Sequence, residues 1–80
     1  MNLPDRIDSK WIDSLADLQL ARAERALHAT FVRHEAAEKR RRGSAYRMLR
    51  GPEPLVSAWL RWSLVSNATR ARGLRPSYPR

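Results

Sequence analysis

Apolar positions along this chain recur at helical spacing, and no stretch alternates with the period of a strand. Trp11, Leu15 and Leu18 share one stripe, and Leu20, Ala23, Leu27 and Phe31 form a second stripe rotated from the first. A rotated stripe means a helix that changes partners along its length or bends near its middle. From Trp11 to Arg42 no glycine or proline intervenes, and Ala, Leu, Arg, Glu and Gln dominate, all good helix formers. Asp8 and Ser9 both have side chains suited to accept from the free N–H groups of a first turn. The pattern therefore predicts one long helix over residues 9–42, with a break at 28–32 as the alternative. Glu35→Lys39 and Glu38→Arg42 stand at i, i+4 in the favourable order and support its last turns.

Gly43 and Ser44 are the first punctuation, and Gly51-Pro52-Glu53-Pro54 is a firm break. That break also opens a second helix over 54–72, because proline fits a first turn and Glu53 suits the positive helix end. Leu55, Trp59, Trp62, Ser66 and Thr69 fall on one face, and Val56, Leu60, Leu64, Ala68 and Ala71 on another. The first half of this helix is thus apolar nearly all round. Arg70 and Arg72 suit the negative end, and Gly73 is a natural stop. The expected fold is all-α: a two-helix hairpin with a long first helix, or three helices if residues 45–50 resume one. An N-terminal arm (1–8), a basic connection (43–53) and an extended tail (73–80) complete a single small helical domain.

One hairpin partner cannot cover so wide an apolar surface. The first helix, about 50 Å long, also outruns the second, about 30 Å. Both features predict completion by dimerisation or by a partner, a dimeric four-helix bundle being the simplest form. Length sharpens this expectation. The chain has 80 residues, and a domain of that size buries only about 60–65% of the surface its unfolded chain exposes. Zero cysteines exclude a disulfide framework, a thiol nucleophile and Cys-rich zinc sites, and suit a reducing compartment. A hydrophobic content of 42% argues against disorder. The longest apolar stretch, Leu55 to Val65, is interrupted by Ser57, Arg61 and Ser63. It falls short of the roughly 20 residues that span a bilayer. Without a signal-peptide pattern behind Met1, a cytoplasmic protein with no membrane partner is expected.

Charge changes the picture most. Sixteen Lys and Arg face eight Asp and Glu, for a net +8, and all but Lys10 and Lys39 of the basic residues are arginine. The distribution is uneven: residues 1–24 sum to −2 and residues 25–80 to +10. The peak is Lys39-Arg40-Arg41-Arg42, followed by Tyr46, Arg47 and Arg50. In a hairpin these cations gather at the connecting end. The arginine fork matches phosphate oxygens, and neighbouring cations gain affinity by releasing condensed counterions. Tyr46 is placed to stack on an unpaired base. The expectation is a nucleic-acid-binding protein, DNA or RNA, that uses Lys39, Arg40, Arg41, Arg42, Arg47 and Arg50 on phosphates. An acidic protein surface is the competing ligand. Arg70, Arg72, Arg75 and Arg80 would form a separate, weaker patch.

The alternative function is a protein-interaction module: an adaptor, inhibitor or accessory subunit whose interface centres on Leu55, Trp59 and Trp62, residue types suited to anchoring a partner. Those three also read as core. Asp13, Asp17 and Glu24 share a narrow arc, read either as a solvated face or as a stripe that meets arginines of a second copy. His34-Glu35-Ala36-Ala37-Glu38 carries Glu where a zinc-protease helix needs its second histidine. Glu24 and His28 give at most two ligands, and both histidines read as surface or boundary residues. No nucleophile elbow and no phosphate-cradling glycine loop occurs. An enzyme, a metal or cofactor, and a small-molecule substrate are therefore not expected.

Overall fold

The computed structural model describes residues 3–4, 6–43 and 53–76. These form three helices and no strand: α1 (Ser9–Asp13), α2 (Asp17–Arg42) and α3 (Glu53–Ala71). The long helices α2 and α3 pack against each other as a helical hairpin. Seven of the sixteen Lys and Arg residues lie in α2, and the fold decides which of them reach solvent.

The expected single helix over 9–42 is instead two, and the break falls at residues 14–16, not at 28–32. Local hydrogen bonds explain where. Asp8 caps α1 by accepting from Trp11 N–H at 2.9 Å, and Ser14 Oγ turns back to donate to the Trp11 carbonyl at 2.6 Å. A serine hydroxyl competing for a helical carbonyl favours a turn over continuation. Ala16 is then extended (ψ 161°), and its N–H donates to Gln19 Oε1 at 2.9 Å, which opens α2. Tertiary packing explains why. An unbroken helix would project α1 past the end of the shorter α3. The break folds it back, so that Ile7 and Ile12 join Leu20, Ala23, Leu27 and Val65 in the main core. Leu3 packs there too, which makes the N-terminal arm part of the core. The length mismatch between the helices is thus partly relieved within one chain.

A smaller cluster of Phe31, Leu55 and Ala58 lies towards the other end of the hairpin, with Trp59 and Trp62 against it. Trp62 touches both clusters. Arg61 Nη2 donates to the Pro4 carbonyl at 2.7 Å and fastens the arm to α3.

The end of α3 falls at Ala71, one residue before its expected limit. Gly73 has φ +78°, and Leu74 N–H donates to the Thr69 carbonyl while Gly73 N–H donates to that of Arg70. This left-handed closure satisfies carbonyls that the helix end leaves open, and glycine adopts it without a Cβ penalty. Leu74 is thereby turned onto the core.

Candidate nucleic-acid interface

The basic run is the last turn of α2, and its charges are unequal in availability. Glu38, nearly buried, accepts from Arg41 Nη2 at 3.1 Å and from Arg42 Nε at 2.9 Å. Lys39 Nζ lies 3.6 Å from Glu35, as the i, i+4 spacing predicts. Arg40 and Arg41 are exposed and Arg42 is half-buried. Among the described residues Arg40 has no carboxylate within ion-pair distance. The segment 38–42 thus presents exposed guanidinium groups, with part of its charge already balanced. Tyr46, Arg47 and Arg50, the rest of the expected set, lie outside the described residues.

Next to this turn is a cavity of about 300 Å³ lined by His28, Phe31, Val32, Glu35, Lys39 and Trp62. Its floor is aromatic. Phe31 and Trp62 stack at 5.5 Å with planes 9° apart, and His28 tilts onto Trp62 at 5.0 Å. Trp62 Nε1 donates to Glu24 Oε2 at 2.6 Å, which fixes the indole. Glu24 is 1% exposed. It therefore belongs to neither a solvated acidic face nor a stripe facing a second copy. A carboxylate buried this deeply needs a donor, and the indole supplies one. Asp17, of the same arc, meets Arg72 Nη1 of its own chain at 3.1 Å, and Asp13 is exposed.

The residues expected at a partner interface are spent mostly inside the chain. Leu55 is fully buried, Trp62 is engaged as described, and Trp59 is half-buried against the smaller cluster. The exposed apolar surface of α3 is instead Leu60 at 50% and Leu64 at 49%. One turn apart on the face away from α2, they bear out the over-wide apolar surface read from the pattern.

The tail patch is also redistributed. Arg72 donates to the carbonyls of Leu15 (2.7 Å, Nη1) and Ile12 (3.0 Å, Nη2) as well as to Asp17, so it is a structural bracket. Arg70 and Arg75 are exposed, and Arg80 lies outside the described residues. Among the described residues no group of three His, Asp or Glu side chains is placed to hold a metal ion, and no helix is long and apolar enough to cross a membrane. No protein-family model, curated protein or solved structure matches the chain.

What the sequence pattern missed was the outer face of α2. Arg22, Arg25 and Arg33 are exposed there with Arg40. Helical spacing alone aligns Arg22, Arg33 and Arg40, so the signal was present but hidden behind the denser run that follows.

Proposed function

We propose that this chain is a small, non-enzymatic nucleic-acid-binding protein of the cytoplasm, working through the arginine-rich end of its hairpin. The observation that carries the reading is the last turn of α2, where Arg40 and Arg41 stand exposed in a region of net +10. Arg40 and Arg41 meet phosphates directly, Lys39 joins them, and Arg42 holds Glu38 in place. Arg47 and Arg50 extend the contact along the connection, with Tyr46 stacking on a base. Binding that rests on phosphate contacts weakens steeply as salt rises.

The test is fluorescence anisotropy with labelled oligonucleotides between 50 and 200 mM KCl, comparing wild type with a K39A/R47A/R50A variant. That variant spares the Arg41 and Arg42 contacts to Glu38 and gives up the Lys39–Glu35 pair. The expected result is a salt-dependent wild-type affinity that drops at least about tenfold in the variant. A wild type that binds no oligonucleotide sinks the proposal.

A second reading is favoured by the exposed pair Leu60 and Leu64. A surface of this kind supports self-association into a homodimer, or docking on a larger assembly. Light scattering on the purified chain tests it, with L60E/L64E expected to convert dimer to monomer. A wild type that is monomeric at all concentrations removes the homodimer.

A further inference from the structure

The acids of α2 all point one way. At 3.6 residues per turn, Asp17, Glu24, Glu35 and Glu38 fall within an arc of about 60°. Each meets a partner on that side: Glu24 holds Trp62, Glu38 holds Arg41 and Arg42, Asp17 meets Arg72, and Glu35 meets Lys39. The opposite side carries Arg22, Arg33 and Arg40 within about 20° of one another, with Arg25 about 60° aside. All four are exposed, and none is within ion-pair distance of a carboxylate among the described residues. Between them stand the exposed small residues Ala26, Ala29 and Ala36. From Arg22 to Arg40 the row runs about 27 Å along the helix axis.

We infer that this outer face of α2 docks into the major groove of double-stranded B-form DNA, the arginines reaching the phosphates on either side; the inference rests on the nucleic-acid reading above. Three features select that ligand. A row of cations with no interspersed acid is complementary to a polyanion over its whole length, whereas the last turn is partly neutralised by Glu35 and Glu38. The alanines keep the helix slim, and the B-form major groove, about 12 Å wide, admits a helix of that diameter. The deep, narrow major groove of an RNA duplex does not. Finally, Arg22, Arg25, Arg33 and Arg40 have only alanines between them in the row and no aromatic side chain, so the face lacks the stacking platform that unpaired bases require. Arg33 is the best positioned of the row. Its Nη2 donates to Thr30 Oγ1 at 3.2 Å, which steadies the guanidinium at mid-helix while leaving it exposed.

The experiment uses the full chain and four probes: a labelled 20-base-pair DNA duplex, one of its strands, the RNA duplex of the same sequence, and polyglutamate as competitor. Two variants are compared, R22A/R25A/R33A on the outer face and K39A/R47A/R50A at the hairpin end. Circular dichroism verifies the helices, and R22Q/R25Q/R33Q replaces the alanine version if helicity falls. The expected result is tightest binding to the DNA duplex, with the outer-face variant at least about tenfold weaker. The slope of log affinity against log salt should fall by about 3 in that variant, one unit per lost phosphate contact. If that variant binds the duplex like wild type while the hairpin-end variant does not, the groove-docking inference is overturned and the nucleic-acid reading stands. Preference for the single strand or the RNA duplex has the same consequence. Failure to bind any of the nucleic acids, or displacement by polyglutamate ahead of unlabelled duplex, overturns both.

Discussion

Arg72 and Arg33 carry the same side chain to opposite ends. At the corner where α1 meets the close of α3, Arg72 bonds two backbone carbonyls and a carboxylate, and only a quarter of its side chain is exposed. On the outer face of α2, Arg33 is exposed, and its one hydrogen bond among the described residues goes to a threonine hydroxyl one turn away. The corner uses the guanidinium as a rigid multi-donor bracket that ties the turn after α1 to the end of α3. The outer face leaves its donors to solvent. Net charge alone cannot distinguish the two. Arg61 and Arg72 belong to the scaffold, Arg41 and Arg42 share one carboxylate, and the charge open to a ligand is set by position.

The contrast can be broken by substitution. Arg72→Ala should cost the most, about 3 kcal/mol in urea unfolding, because it takes the donor from the Leu15 carbonyl, a second donor from the Ile12 carbonyl and the partner of Asp17. Arg72→Lys should recover only part of that, lacking the fork. Next, Glu24→Leu leaves the Trp62 N–H without its acceptor and should cost about 2 kcal/mol, with Glu24→Gln losing less. Gly73→Ala meets no neighbour but forces a Cβ onto a backbone at φ +78°, for about 1 kcal/mol. The smallest effect belongs to Arg33→Ala, whose stability should stay within about 0.5 kcal/mol of wild type while its DNA affinity falls. Equal unfolding costs for Arg72→Ala and Arg33→Ala would erase the distinction between the two regions.

Much of the scaffold was legible from local rules. Gly73 stops α3 because only a left-handed residue closes the helix there, and Glu35 and Glu38 find Lys39 and Arg42 because helical spacing puts them together. The α1–α2 break was not legible, since it contains neither glycine nor proline. It is a serine-and-glutamine turn selected by where Ile7 and Ile12 can be buried. Glu24 was misread for a related reason: a charged residue on a helix face reads as solvated until an indole 38 positions away is known to face it. The fates of Arg61 and Arg72 likewise depend on partners 55 or more residues distant. For the functional surface, the run of cations was plain in the sequence, and its partial neutralisation followed from the same spacing. The outer row is defined by packing, because burial of Leu20, Ala23 and Leu27 against α3 turns Arg22, Arg33 and Arg40 to solvent.

The bracket at Arg72 also orders events during synthesis. Its carbonyl partners in and beside α1 precede it by 57 and 60 positions. A five-residue helix does not persist alone in water, because nucleating it fixes more backbone than it returns in hydrogen bonds. So α1 is not held in place until Arg72 has been made. The corner is therefore closed by a side chain just beyond α3 that fastens the turn between α1 and α2. A released chain cut before residue 72 would hold α2 and α3 without the corner that completes them.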